Sequence, residues 1–459
     1  MDNLNTSINI KDLINTNSEK ELKKTLASYL PGEAADLILY LPKKKRLSVF
    51  MALPEETAAK TFELLPFGIQ KEILGQLPDD RAAQILNALS PDDRTEFFEE
   101  LPSSVVKELL KLLNTDERKL TLQILGYPEK SVGRLMTPEY IAVRPDWTVK
   151  EVLDFVRTQA HYSETIDMIY VIDDHHKLID DIRLKNFLFA SPEAHVKDLC
   201  DYKYVFLNVN DDEESAINVF RKYNRAALPV TDSKGILLGI VTMDDILHLA
   251  NREFTEDVQK MGAVEALDEP YMDTPFLELM KKRAGWLTVL FIGEMFTATA
   301  MGYFEGEIAK AVVLALFLPL IISSGGNSGS QASSLIIRAL ALGEVTLKDW
   351  WKIMRREIFS GLFLGSVLGV IGFFRVVVWS QFTNLYGEHW LLIGTTIGFA
   401  LIGVVLWGTI TGSMLPLILK RCGADPAVSS APFVATLIDV TGIVIYFTVA
   451  LLFLTGTLL

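Results

Sequence analysis

The sequence predicts a multidomain membrane protein with an all-α superhelical N-terminal domain, a tandem α+β pair, and an α-helical membrane domain of five transmembrane helices. Three observations predict this fold class. Leucine recurs every 12 residues in the first region, a longer segment occurs twice in the next, and five long apolar segments fill the last. Short periodic units indicate a superhelical stack, and apolar segments of about 20 residues can span a bilayer.

The 12-residue repeat predicts one short helix per unit. Proline follows the repeated leucine directly in most units, and proline is tolerated in a first helical turn but disfavours helix in the residue before it. Acidic pairs follow several prolines. They suit helix N-termini, and metal binding is the alternative role. The leucines are Leu41, Leu53, Leu65, Leu77, Leu89, Leu101 and Leu113, and the acidic pairs are Glu55–Glu56, Asp79–Asp80 and Asp92–Asp93.

The longer repeat predicts a duplicated domain. The segment 132–157 aligns without gaps on 196–221, and the segment that follows each copy aligns with a slightly shorter offset. Each copy predicts helix, strand, helix, strand, strand, helix. A mostly helical stretch then continues to Gly262, with Glu253, Glu256 and Asp257 on one helix face. Like charges at this spacing repel each other unless a cation lies between them.

Charge is divided between the polar and the membrane parts. Residues 1–283 contain 49 Asp and Glu against 35 Lys and Arg, whereas residues 284–459 contain 9 of each. Such an acidic surface repels nucleic acid and attracts cations, so no nucleic-acid partner is expected. The first residues lack the pattern of a cleaved signal peptide, so the polar part is expected in the cytosol. Cys200 and Cys422 are too isolated to indicate a zinc site or a disulfide framework.

The loops between the apolar segments predict a membrane orientation. The loops 281–283, 348–357 and 420–421 are basic, whereas 304–307 and 381–390 contain no Lys or Arg. By the positive-inside rule, the N-terminus is cytosolic and the C-terminus lies outside. The five predicted spans are about 285–303, 311–340, 358–380, 391–419 and 430–457.

The second and fifth spans carry polar residues. The second contains "SSGGNSGSQ", and the fifth contains the carboxylate of Asp439 between Thr436 and Thr441. A carboxylate at membrane depth costs about 3 kcal/mol on insertion scales. Packing of small polar residues is the alternative interpretation, but it leaves Asp439 without a partner. A cation that bridges the two spans compensates the charge.

The donor atoms near Asp439 indicate which cation could bind there. They are oxygens, with no His or Cys nearby, so metals that prefer imidazole or thiolate are disfavoured. Mg²⁺ keeps several waters and is typically held through one or two carboxylates. One Asp439 from each of two subunits could hold a hydrated ion in a conduction path.

Two other function classes fit the sequence less well. A membrane enzyme is disfavoured because no HExxH, P-loop or Cys–His pair occurs and "GNSGS" does not fit the GxSxG nucleophile elbow. A membrane sensor without transport is the second alternative, but it would not need Asp439. We therefore expect a protein that is not an enzyme.

The duplicated segment resembles a tandem pair of CBS domains, with "GIVTMDDI" (239–246) as its strongest local match. The resemblance implies an adenine-nucleotide pocket at Thr242 and Asp245, and hence ATP as a ligand. The first copy, "DDIRLKNF", lacks the glycine and the final aspartate. Nucleotide binding and a pair that only dimerises and moves both stay open.

The whole chain from about residue 30 resembles the MgtE family of magnesium transporters. The most specific matches are "GGNSGSQASSLIIRALALGEV" and "DPAVSSAPFVATLIDVTGIVIYF". The resemblance implies an N domain at 1–130, a CBS pair at 131–250, a connecting (plug) helix at 251–280 and a membrane domain at 281–459. It implies a homodimeric, channel-like importer of Mg²⁺ in the bacterial plasma membrane. Transport of Co²⁺ or Mn²⁺ as well is the alternative.

The resemblance also implies two groups of Mg²⁺-binding residues. Ions bound between the cytosolic domains would close the pore when internal Mg²⁺ is high. The implied pore residues are Asp439, Ala435, Gly326, Asn327 and Ser330. The implied cytosolic residues are Asp212, Glu214, Asp245, Glu253, Glu256 and Asp425, with Glu55, Glu56, Asp92 and Asp93 as candidates in the N domain.

Overall fold

The computed structural model describes residues 19–159, 163–267, 271–383 and 385–458. These residues divide into two compact units. The first contains the described residues up to Asn251, and the second contains those from Arg252 onward. The two units are described separately below.

The N-terminal region of the first unit is a stack of short helices. All seven repeated leucines are buried, with at most 9% of their surface exposed. Proline stands immediately before a helix at Pro42, Pro54, Pro66, Pro78 and Pro102. The periodic pattern therefore predicted these helices correctly. They are α1 (Glu19–Leu26), α2 (Pro31–Tyr40), α3 (Lys43–Met51), α4 (Glu55–Glu63), α5 (Phe67–Leu74), α6 (Asp79–Ala88), α7 (Pro91–Glu99), α8 (Ser103–Leu109) and α9 (Thr115–Leu125).

The rest of the first unit contains two three-stranded sheets of the same topology. In each sheet the first strand is parallel to the second, and the second is antiparallel to the third. The predicted element order is confirmed, except that the second copy begins with a 3-10 turn, Val196–Asp198. The first copy contains α10 (Val132–Leu135), β1 (Ala142–Val143), α11 (Val149–Gln159), β2 (Met168–Ile172), β3 (Leu178–Arg183) and α12 (Leu184–Phe189). The second contains β4 (Leu207–Asn208), α13 (Glu213–Tyr223), β5 (Ala227–Thr231), β6 (Leu237–Thr242) and α14 (Met243–Met261).

Helix α14 is continuous through residue 251. The last helix of the second repeat and the start of the predicted connecting helix are therefore one element, which ends just before Gly262. The described residues between Gly262 and Pro275 are not helical. The helical part of the predicted segment 251–280 is thus limited to its two ends.

Five helices of the second unit are long and apolar enough to cross a membrane, which confirms the predicted number of spans. The second span is interrupted near Leu316, and its helix then continues through the whole polar motif. The spans are formed by α15 (Phe276–Tyr303), α17 (Val312–Ala315) with α18 (Leu318–Ala341), α19 (Trp350–Ser380), α20 (Trp390–Arg421) and α21 (Ala431–Leu454), and the short α16 (Glu305–Lys310) follows the first.

Glycines bring α18 and α20 into backbone contact. A Cβ atom on Gly412 would collide with the carbonyl oxygen of Gly329, and one on Gly408 would collide with that of Gly325. Only residues without a side chain permit this approach. The glycines of the polar motif therefore fix the position of α18.

We expect Gly412→Ala to destabilise the membrane domain, because the added methyl group collides with backbone that cannot move aside. Overpacking of this kind costs roughly 1–3 kcal/mol. The measurement is the thermal midpoint of the full-length protein in detergent. Gly302→Ala is the matched control, since no atom lies within 4 Å of its added Cβ. Equal midpoints for the two variants would contradict the expected contact.

Candidate ion-conduction site

A cavity of about 570 Å³ lies beside Asp439 in the membrane unit. Four of the five predicted pore residues, Gly326, Asn327, Ala435 and Asp439, line it. The other lining residues are mostly apolar, so the cavity offers few polar groups. These other residues are Met301, Ala315, Leu318, Pro319, Ile322 and Ser323.

Two facing helices supply the four predicted residues. Ala435 and Asp439 are one turn apart on α21 and share a face. A Cβ on Gly326 would lie 3.6 Å from that of Ala435, so α18 and α21 approach closely here. Asn327 follows on α18, and its Nδ2 donates a 3.4 Å hydrogen bond to Ser323 Oγ. The arrangement offers one carboxylate, an amide and hydroxyl oxygens to a cation.

Ser330 does not line the cavity. Its hydroxyl donates a 3.1 Å hydrogen bond to the carbonyl oxygen of Ala431. Ser333 makes a similar bond of 2.8 Å to the carbonyl oxygen of Ser429. These serines fix the start of α21 against α18, which is a positioning role.

The two arginines of the spans contact aromatic rings. The guanidinium of Arg338 lies 5.9 Å from the ring centre of Phe254, and that of Arg375 lies 3.8 Å from Trp379. Neither contact involves Asp439. The charge of Asp439 is therefore not explained by these arginines.

Sequence reasoning missed Glu294. Its carboxyl group on α15 lies within hydrogen-bonding range of the carboxyl group of Asp439. A signal was available, because Glu294 is a charged residue inside the apolar segment 285–303. An ionisable residue in a membrane span is by itself an indication of function.

A second group of carboxylates lies in the first unit, around Asp92. Only 7% of Asp92 is exposed, and its Oδ1 has no hydrogen-bond partner in the described part of the chain. Burial, and then the nearby Asp245 and Asp93, raise the pKa of Asp92 well above its usual range. The backbone N–H and the hydroxyl of Thr242 donate to Asp245. This arrangement gathers carboxyl groups in a buried position, where burial and mutual repulsion disfavour their ionised forms.

Neighbouring residues have perturbed pKa values for the same reason. Burial, helped by Asp244, raises the pKa of Asp245 to about 7. Burial, helped by Asp93, raises the pKa of Glu63 to about 8. Oxygen donors with an unpaired buried atom suit a hard cation such as Mg²⁺. Within the described ranges, however, no three His, Cys, Asp or Glu side chains are arranged to hold a metal ion.

Other predicted cytosolic residues have structural contacts. Glu55 forms a 3.3 Å ion pair with Arg81. Asp212 caps α13 by accepting a 2.9 Å hydrogen bond from the backbone N–H of Glu214. Glu56 is an exposed residue in the first turn of α4. These contacts are explained by helix capping and pairing alone.

An ammonium group lies between two of the predicted metal-binding carboxylates. Lys260 Nζ is 2.6 Å from Asp425 Oδ2, and it also forms an ion pair with Glu256 on the same helix. Burial lowers the pKa of Lys260, but the bonds to Asp425 and Glu256 outweigh it and raise that pKa. Glu253 lies about one turn before Glu256 on α14. Lys260 thus pairs with both Glu256 and Asp425 and offsets part of their charge, a role that the sequence did not indicate.

The raised pKa of Glu63 predicts a pH-dependent stability. The native state binds a proton that the unfolded state has released between about pH 4.5 and 8, so the free energy of unfolding falls as pH rises through this range. We expect the thermal midpoint of the full-length protein in EDTA to fall less over this range in Glu63→Gln than in the wild type. Glu56→Gln, at an exposed position, should behave as the wild type. Identical pH dependence of wild type and Glu63→Gln would contradict this prediction.

Comparison with known families accounts for all three parts of the chain. A model described as "Divalent cation transporter" matches residues 318–449, one for the MgtE intracellular N domain matches 29–130, and one for CBS domains matches 132–193 and 196–252. The magnesium transporter MgtE of Thermus thermophilus is 38% identical over 328 residues, which is 72% of this chain and 71% of that protein. The chain belongs to the MgtE family.

Further relatives of the MgtE family agree. The magnesium transporter MgtE of Enterococcus faecalis is 32% identical over 333 residues, covering 72% of this chain and 71% of that protein. The solved cytosolic domain of the Mg²⁺ channel MgtE in complex with ATP is 32% identical, with a TM-score of 0.51, over 53% of this chain and 99% of that chain. These matches confirm the predicted family and fold class.

Proposed function

We propose that this MgtE-family chain is a Mg²⁺ channel-like transporter whose transported ion passes Asp439. The observation that carries the proposal is a cavity of the membrane unit. It is lined by the carboxylate of Asp439, the amide of Asn327 and the backbone at Gly326, where α18 and α21 approach closely. Oxygen donors in a cavity of this volume suit an ion that keeps part of its hydration shell. The relatives named as magnesium transporters support the same substrate.

We further propose that cytosolic Mg²⁺ closes the pore. When both are ionised, the buried carboxylates of Asp92 and Asp245 repel each other, and bound Mg²⁺ removes that repulsion. Closure of the N domain on the CBS pair is then coupled to ion binding. The Mg²⁺ ion thus acts as both substrate and regulator, with Glu63, Asp93 and Asp245 as its partners.

The CBS pair is proposed to bind ATP through Thr242 and Asp245. A relative's cytosolic domain was solved in complex with ATP, and that structure aligns with this part of the chain. Asp245 belongs to both the acidic group and the nucleotide motif. Nucleotide and Mg²⁺ would therefore influence each other's binding.

The proposed assembly is a homodimer in the bacterial plasma membrane, with a cytosolic N-terminus and an external C-terminus. In one protomer α15 contacts α21 but contains no fully buried residue, which leaves much of its surface for lipid or for the second subunit. The domain boundaries proposed are 1–130, 131–250, 251–280 and 281–459. Membership of a transporter family supports a role other than an enzyme's.

The proposed function is tested by growth of a bacterial strain that depends on added Mg²⁺. Expression of the wild-type chain should restore growth at low external Mg²⁺, and excess Co²⁺ or Mn²⁺ should show whether these ions compete. Absence of rescue by a protein that is present in the membrane would contradict Mg²⁺ transport. It would favour a membrane sensor.

A further inference from the structure

Glu294 is an intramembrane carboxylate to which the proposed function gives no role. It lies on α15, which is apolar around it, and its carboxyl group contacts that of Asp439 on α21. Two carboxyl groups this close are not both ionised unless something positive lies between them. The contact therefore raises the question of what the pair holds.

The contact follows from how α15 packs on α21. A Cβ on Gly293 would lie 2.6 Å from Thr436 Cγ2, so the two helices touch at this glycine. Thr436 is three residues before Asp439, and Glu294 directly follows Gly293. The close approach at Gly293 brings the two carboxyl groups together.

Two further residues lie near Glu294 on α15, and one of them reaches the cavity. Thr297 and Met301 follow Glu294 at helical spacing, and Met301 lines the cavity that contains Asp439. The hydroxyl oxygen of Thr297 is buried, and among the described residues it has no hydrogen-bond partner. This part of α15 therefore offers a carboxylate and an unused hydroxyl beside the ion site.

We infer that Glu294 is a second carboxylate ligand of the transported cation, direct or through water, and that it sets the preference for divalent over monovalent ions. A divalent ion neutralises both Glu294 and Asp439, whereas a monovalent ion leaves one negative charge uncompensated. Attraction between charges is stronger in a membrane cavity than in water. This inference rests on the proposed function, since it concerns the same ion path.

The test is the block of Na⁺ current by Mg²⁺ in excised membrane patches that contain the full-length protein. EDTA is kept on the cytosolic face, so that the cytosolic carboxylates stay free of Mg²⁺, and Mg²⁺ is added to the other face. We expect Glu294→Gln to carry Na⁺ and to need at least about tenfold more Mg²⁺ for half-block, which corresponds to about 1.4 kcal/mol. Glu278→Gln alters an exposed position at the start of α15. Its Na⁺ current should be blocked by the same Mg²⁺ concentration as that of the wild type.

Glutamine separates the two roles open to Glu294. Its amide keeps the size of the side chain and can donate a hydrogen bond to Asp439, as a protonated glutamate would. Unchanged half-block in Glu294→Gln would thus overturn the inference and leave Glu294 as a neutral hydrogen-bond partner. If Glu294→Gln carries no current, Glu294→Asp decides. If Glu294→Asp carries Na⁺ current that Mg²⁺ blocks, the result supports a charged ligand at this position. If Glu294→Asp is well folded but carries no current, the inference is overturned.

Failure of the proposed function itself gives a different result. In that case the wild type carries no Mg²⁺ current, whatever residue stands at position 294. The wild type can carry Mg²⁺ while Glu294→Gln shows an unchanged half-block by Mg²⁺. That result leaves the proposed function intact and removes only the inference about Glu294.

Discussion

Asp439→Asn is expected to abolish Mg²⁺-dependent growth of a strain that the wild-type chain rescues. Asparagine keeps the size and an oxygen of the side chain but removes its charge. At about 5 Å and an effective dielectric constant of about 20, one unit charge contributes about 3 kcal/mol to the attraction of a monovalent cation and about twice that for Mg²⁺. Even the smaller value corresponds to a loss of about two orders of magnitude in ion occupancy. The measurement is growth rate against external Mg²⁺.

Two controls make this result specific to the ion site. Asp425→Asn alters another carboxylate of the membrane unit, one that lies outside the cavity and pairs with Lys260. Asp425→Asn is expected to rescue growth as the wild type does and to alter only the closure of the pore. Membrane content of each variant is measured by immunoblot. Equal rescue by wild type and Asp439→Asn would make Asp439 a packing residue.

Asp92→Asn is expected to make the cytosolic region insensitive to Mg²⁺. The wild type buries a carboxylate oxygen without a partner, close to Asp245. Leaving a buried polar group unpaired costs roughly 1–3 kcal/mol, and more if it is charged. Asparagine carries no charge, so it removes the repulsion between the side chain at position 92 and Asp245. The closed arrangement should therefore form without Mg²⁺. Limited proteolysis of the full-length protein, with Mg²⁺ or with EDTA, measures closure.

In the wild type we expect Mg²⁺ to slow cleavage, and in Asp92→Asn we expect slow cleavage in EDTA too. The Mg²⁺-dependent ratio of cleavage rates should fall at least about fivefold, as about 1 kcal/mol implies. Asp116→Asn is the matched control, because Asp116 is an exposed acid in the first turn of α9. A full Mg²⁺ response in Asp92→Asn would show that the sensing carboxylates lie elsewhere.

Local patterns predicted the fold well because local physics determines these elements. Each repeated leucine is buried, and in most units the proline after it separates one helix from the next, so most helix boundaries follow from the sequence. The offset between the two repeats likewise predicted two sheets of the same topology. The helical stretch up to Gly262 was predicted, and α14 confirms it. The interruption near Leu316 was not predicted. It depends on how a helix end packs, which a hydropathy pattern does not encode.

The ion site was predicted from the cost of one charge, and its partners were predicted less well. Asp439 was identified because an isolated carboxylate in a span needs compensation. The contact with Glu294 depends on the close approach of α15 at Gly293, which only the packed structure reveals. The place of Lys260 between Glu256 and Asp425 joins positions 165 residues apart. Contacts at such separation are set by tertiary packing.

The most direct measurement is Mg²⁺ influx into liposomes that contain the purified full-length protein and an enclosed Mg²⁺ indicator. The central claim is that Mg²⁺ crosses the membrane past Asp439. It predicts influx with the wild type and only the background of empty liposomes with Asp439→Asn. Equal influx with both proteins, or none with the wild type, would contradict it.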